Sequence, residues 1–172
     1  FNRGAVIYGA NAAGKSNIIK AVQALRNLVV DSSSRSNPGD PMPYDPFMLN
    51  ESSRHLPTYY EISFVVEGRR YLYGLEHDRT RVLEEFLVAY PKGLGQKWFH
   101  RTYQSDTGEY VWQFSEEYRS PRNIKNLTRE NVLFLSAAAS FNSPQMRLIY
   151  SWFKDSLIVL SLGAHSLLNP LP

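Results

Sequence analysis

The chain has 172 residues, 43% of them apolar, enough to bury a core in one domain, and this excludes a disordered tail. Its formal charge of +3 comes from 19 basic and 16 acidic residues scattered among one another, so the mild basicity is weak evidence for nucleic acid. The lack of cysteine excludes disulfides, thiolate metal sites and a cysteine nucleophile; with no apolar run near the roughly 20 residues of a membrane span, a soluble cytoplasmic protein is expected.

Ala5-Val6-Ile7-Tyr8 reads as a short buried strand. Directly after it, Gly9-Ala10-Asn11-Ala12-Ala13-Gly14-Lys15-Ser16 fits Gly-x-x-x-x-Gly-Lys-Ser, the Walker A phosphate loop. Terminal glycines let the backbone turn so that successive N–H groups face phosphate oxygens, and the helix that follows offers the positive end of its dipole. The expected nucleotide-binding residues are therefore Gly9, Ala10, Asn11, Ala12, Ala13, Gly14, Lys15, Ser16 and Asn17. Lys15 is the expected catalytic cation, reaching the β- and γ-phosphates of ATP, and the Ser16 hydroxyl the expected Mg²⁺ ligand. In the following helix Ile18, Val22, Leu25 and Val29 form a stripe expected to dock on a sheet.

Residues 31–58 change to Ser, Asn, Gly and Pro and read as one long irregular connection. Over 59–114 an antiparallel meander of about five strands is predicted: Tyr60–Val66, Tyr71–Leu75, Val82–Tyr90, Lys97–Tyr103 and Glu109–Phe114, with glycine-bearing breaks at 67–70, 91–93 and 106–108. Its many aromatic residues read as half-buried strand positions rather than a platform for bases. Arg122, Lys125 and Arg129 form the densest cationic cluster, diluted by Glu116, Glu117 and Glu130, and read as a solvated surface.

Residues 115–172 are expected to hold a helical segment and a terminal strand. The alanines within 131–139 suggest helix, Ser143-Pro144 supplies an N-cap and first-turn proline for a helix to about Lys154, and Leu157–Leu160 suggests a last strand. Because the motif strand lies almost at Phe1 and Leu167–Pro172 is apolar without a cap, residues 1–172 are expected to be a partial P-loop ATPase domain, truncated at both ends.

Gly-Ala-Asn-Ala-Ala-Gly-Lys-Ser-Asn, with Asn11 and Asn17, resembles the loop of ABC-type chromosome and repair ATPases, the RecF, SMC and Rad50 group. Pro46-Phe47-x-Leu49, Pro57-Thr58, Glu61-Ile62-x-Phe64, Tyr71-x-Tyr73-Gly74, Glu85-x-Leu87, Phe99-x-Arg101 and Asn131-x-Leu133-Phe134-Leu135-Ser136 extend the likeness. They look like the AAA-type "ATP-binding protein" family of prokaryotic defence islands, similar to the ATPase half of overcoming-lysogenization-defect nucleases and RloC-like anticodon nucleases. The resemblance implies an α/β P-loop NTPase fold, the first lobe of an ABC-type head carrying an antiparallel β subdomain. It further implies ATP and Mg²⁺ as cofactors and a homodimer with ATP sandwiched between heads. An effector nuclease domain and contact with DNA or RNA would come through parts outside this chain.

Other parts of such a head are sparse here. Phe64-Val65-Val66-Glu67 has a Walker B outline, but Gly68 marks a hairpin turn; Leu160-Ser161-Leu162-Gly163 has a signature outline but reads as a strand end. Gln145 or Asn142 is the candidate Q-loop residue, with a helix-surface polar residue as the plainer reading, and His165 is a weaker candidate for the switch histidine. One competing class is a stand-alone P-loop phosphotransferase or GTPase, although neither Asn-Lys-x-Asp nor Asp-x-x-Gly occurs; another is a scaffold that binds ATP for assembly without hydrolysis.

Overall fold

The computed structural model describes Tyr8, Ala10 and residues 14–44 and 56–159. The strand expected at Ala5–Tyr8, most of the loop, and the segment from Leu160 onward, including Leu160–Gly163 and His165, lie outside the described residues.

Five strands form one antiparallel sheet in sequence order: β1 Thr58–Val66, β2 Arg69–His77, β3 Val82–Tyr90, β4 Gln96–Gln104 and β5 Glu109–Phe114. The predicted meander is therefore present. Glu67 and Gly68, with φ of 49° and 74°, close the two-residue turn between the paired Val66 and Arg69, so the Walker B outline is a hairpin. Alternation sends Phe64, Tyr71, Tyr73, Leu75, Leu87 and Ala89 into the core. A bulge between Leu87 and Val88 of β3 and the facing β4 leaves the consecutive Trp98 and Phe99 both buried.

The inner face is covered by helices carrying aromatic rings. α2 spans Phe134–Ser140, and Phe134 meets Phe99 and Trp112 at ring-centroid distances of 4.8 and 5.1 Å. α3 spans Pro144–Ser151 and runs into a π-helical turn, Trp152–Ser156, whose Trp152 stacks on Phe64 at 4.2 Å. The predicted cap is present, Ser143 Oγ accepting from Met146 N at 3.3 Å, and Met146, Ile149 and Phe153 are all buried. A 3₁₀ turn, Arg122–Leu127, precedes α2.

Three expectations need correction. The motif helix α1 spans Lys15–Arg35, so residues 31–35 are helical rather than part of an irregular connection. Among the described residues its main contacts are α2 and the π-helical turn rather than the five-stranded sheet, whose inner face those elements occupy. The buried face is Leu25, Leu28, Val29 and Ser32, while Ile18 and Ile19 at the other end are about half exposed (49% and 44%). Finally, Leu157–Val159 is not a strand: the Leu157 N–H closes the π turn on the Trp152 carbonyl, and its neighbours have no ladder partner among the described residues.

Candidate functional site

α1 is about 30 Å long from its 21 residues, and the Walker A sequence leads into its N-terminus. Of that sequence, Gly9, Asn11, Ala12 and Ala13 lie outside the described residues. Gly14 is the N-cap, with φ of 81° and ψ of 6°, and has no side chain with which to cap; the first turn contains no carboxylate. A Cβ built on Gly14 would meet nothing within 4 Å among the described residues. The Lys15 ammonium donates a short hydrogen bond to the Ala10 carbonyl, while Ser16 and Asn17 are exposed.

The other two α-helices end differently. α2 is capped by the Glu85 carboxylate, which accepts from Phe134 N at 2.7 Å and Leu135 N at 3.0 Å, and α3 by Ser143. α1 thus begins with N–H groups and a positive dipole end that no side chain of its N-cap closes, beside a lysine and a hydroxyl. That donor set fits a Mg²⁺-bound polyphosphate: amides and ammonium for phosphate oxygens, Ser16 for the cation.

The far half of α1 is held by hydrogen bonds. Arg26 donates to the carbonyls of Leu157 and Lys154 (3.1 and 2.7 Å), Tyr150 to Val30 O (3.0 Å), and Ser136 Oγ to Val29 O. Leu133 N donates to Ser32 Oγ at 3.3 Å. Arg129 reaches Ser36 O at 2.6 Å, and Asn131 Nδ2 bonds Asn37 O and Asp40 O at 2.8 and 3.0 Å. Arg129, assigned to a solvated cluster, therefore also ties α1 to the segment before α2.

That segment is itself gripped by the sheet. Glu85 and Arg101 are direct partners across β3 and β4, both fully buried, 3.8 Å apart. Arg101 donates to Val132 O at 2.8 Å and Arg129 O at 3.0 Å, and its guanidinium lies 4.1 Å from the Tyr110 ring centroid. Glu85 also accepts from the Tyr73 hydroxyl at 3.0 Å. Burial pushes the Glu85 carboxyl above its ordinary range, opposed by Arg101, the two α2 amides and Tyr73. The same burial, together with the neighbouring carboxylate, holds the Tyr73 hydroxyl well above the usual phenol range. Several residues of the spaced pattern thus lie along one junction: Tyr73, Glu85, Arg101, Asn131, Leu133 and Ser136 join sheet, α2 and α1. The available signal was a charged residue on the apolar face of each of two strands predicted to be neighbours.

Gln145 is placed elsewhere. Its Oε1 accepts from Arg119 N at 2.8 Å and its Nε2 donates to Glu117 O at 2.9 Å, so both ends of the amide hold the segment after β5. Contacts between α1 and the C-terminal helices run from Ser33 with Ser140, through Val30 with Tyr150, to Arg26 with Leu157. Chain advance from α3 onward is therefore towards the Lys15 end, and Gln145, at the start of α3, is not brought together with Lys15. Asn142 is exposed in the turn between α2 and α3, with φ of 62°. Among the described residues no helix is long and apolar enough to cross a membrane, and no group of His, Asp and Glu has the geometry of a metal site.

No curated protein and no solved structure matches the chain. A family model described as "AAA domain, putative AbiEii toxin, Type IV TA system" matches residues 5–165, a span that includes the Walker A sequence and every described helix and strand. The chain belongs to this family of AAA-type ATPase domains.

Proposed function

We propose that this chain binds Mg-ATP at the N-terminus of α1, with Lys15 as the cation for the β- and γ-phosphates and Ser16 as the protein ligand to Mg²⁺. The observation that carries the reading is the Gly9–Ser16 motif joined to a helix end that no side chain of its N-cap closes. Mg²⁺ supplies charge neutralisation at the phosphates when bound; the chain's own residues hold and orient them. In this reading the domain is the first lobe of an ABC-type head. ATP bridges two heads, favours the closed dimer, and so gates an effector in defence or DNA maintenance. Hydrolysis needs a Walker B acid, its neighbouring glutamate and the facing head's donors, so this chain alone binds nucleotide and turns over slowly.

The test is a thermal-shift titration with Mg-ATP, Mg-GTP and a Lys15→Ala control. At ten times its Kd, Mg-ATP stabilises the native state by about 1.4 kcal/mol, raising Tm by about 3–6 °C for a chain of this size. Lys15→Ala should abolish that shift while keeping the ligand-free Tm within about 1 °C, because Lys15 lies at the exposed end of α1. A shift that survives in Lys15→Ala would remove the proposed site.

A further inference from the structure

At the opposite end of the sheet from the Asn131 clamp, a cleft of about 720 Å³ opens between the β3–β4 turn, the segment after β5 and the start of α3. Two smaller depressions adjoin it. The first shares Arg69, Trp98, Pro144 and Gln145 with it, and the second shares Pro144 and Leu148 with the first, so one groove passes round the N-terminal end of α3. Four exposed cations line it: Arg69, Lys92, Arg119 and Arg147. None is in an ion pair among the described residues, although carboxylates at Glu67 and Glu117 also face the groove. Four positive charges against two leave it net positive, and Arg69 also interacts with the Tyr71 hydroxyl.

The wall is built rather than loose. Gln145 pins the backbone of Glu117 and Arg119, Ser120 and Ser143 share a buried hydroxyl–hydroxyl bond, and Arg122 holds Ser115 O at 2.9 Å. A wall fixed in advance spares a ligand the entropy of ordering it. Between the cations lie apolar contacts: Pro91, the 80%-exposed Leu94, Pro144 and Leu148.

We propose that this groove binds an extended acidic peptide of a partner protein, its carboxylates paired with Arg69, Lys92, Arg119 and Arg147 and its apolar side chains on Leu94 and the two prolines. Guanidinium forks suit carboxylates, and an extended chain can offer both carboxylates and apolar side chains to a groove lined by cations and apolar residues. Single-stranded nucleic acid also carries negative charge, but it needs exposed ring faces for its bases. The groove's aromatic residues are sealed instead, Trp98 at 4% exposure and Tyr71 at 1%, and the two carboxylates would oppose a continuous line of phosphates.

The experiment is fluorescence anisotropy on the full chain. The probes are a fluorescein-labelled hexapeptide of alternating Glu and Leu, its Lys and Leu counterpart, and a labelled twelve-residue oligothymidylate. The acidic peptide should bind, weaken as NaCl rises from 50 to 300 mM, and lose at least tenfold in affinity in Arg119→Glu and in Arg69→Glu. Both variants should keep the wild-type Tm, since both side chains are exposed. The Lys peptide should not bind. Three results would overturn the proposal: no binding of the acidic peptide, binding that Arg119→Glu and Arg69→Glu leave unchanged, or oligothymidylate binding more tightly than the peptide through the same arginines. The readout does not involve nucleotide, so it stands or falls separately from the site at Lys15.

Discussion

Glu85 shows how much one side chain can join. Its carboxylate faces Arg101 across the sheet, caps α2 through two amides, and takes the Tyr73 hydroxyl, all without solvent. A buried pair is weak evidence for stability in itself, since desolvation offsets the attraction. Removing one partner is different: Glu85→Ala leaves an uncompensated guanidinium and two uncapped amides, and should cost about 3–5 kcal/mol. Arg101→Met should cost a comparable amount through Glu85 left alone, while Glu85→Ala with Arg101→Met should cost clearly less than the sum of the two. Urea unfolding midpoints of the four proteins measure this; strict additivity would mean that the two side chains act independently. The pair was not legible as a unit in the sequence. Glu85 and Arg101 were visible as pattern positions, but their meeting depends on the β3–β4 register and on a bulge that no local residue preference announces.

At the scale of elements, the strands were legible because alternation and turn chemistry agree. Three of the four hairpins have a glycine where the chain reverses, Gly68, Gly93 and Gly108, the β2–β3 turn using Asp78 to accept from Thr80 N and Arg81 N instead, and the buried residues of β2 and β3 recur largely at every second position. The end of α1 was not, because Ser32-Ser33-Ser34 reads as loop by propensity. In the fold Ser32 and Ser33 sit at a helix–helix contact, where Ser32 accepts from Leu133 N and Ser33 meets Ser140 at 3.0 Å, so tertiary hydrogen bonds overrule the local preference. The solvent-side face of the sheet has its own constraint. Gly74 lies directly opposite Phe86, and a Cβ there would be 2.2 Å from two ring carbons. Gly74→Ala should therefore displace the ring, loosen its edge contact with His100, and cost about 1–3 kcal/mol. Adding Phe86→Ala should recover part of that loss, read as a Tm higher than additivity allows; a Gly74→Ala protein as stable as wild type would mean that the ring swings aside freely.

Across the whole molecule, α1 connects two regions of different character. Its C-terminal half is fixed by the sheet-held segment before α2, by Tyr150 and by Arg26, whereas Ser16–Ala21 is exposed among the described residues. The phosphate motif itself was legible because Walker A chemistry is carried by residue identity at fixed spacing. Which half of the helix would be anchored was not, because Ile18 and Val22 continue the same apolar stripe as Leu25 and Val29. Opening free energy should rise along the helix accordingly. In native-state hydrogen exchange, amides of residues 19–24 should exchange through local fraying, and those of Leu28–Ser32 near the rate set by global unfolding. Saturating Mg-ATP should slow the first turns most, since phosphate contacts cap the amides there, and Lys15→Ala should erase that slowing while leaving Leu28–Ser32 unchanged. Uniform protection along α1 without nucleotide would show that its first turns are already anchored, and slowing confined to residues 117–120 would move the nucleotide into the basic groove.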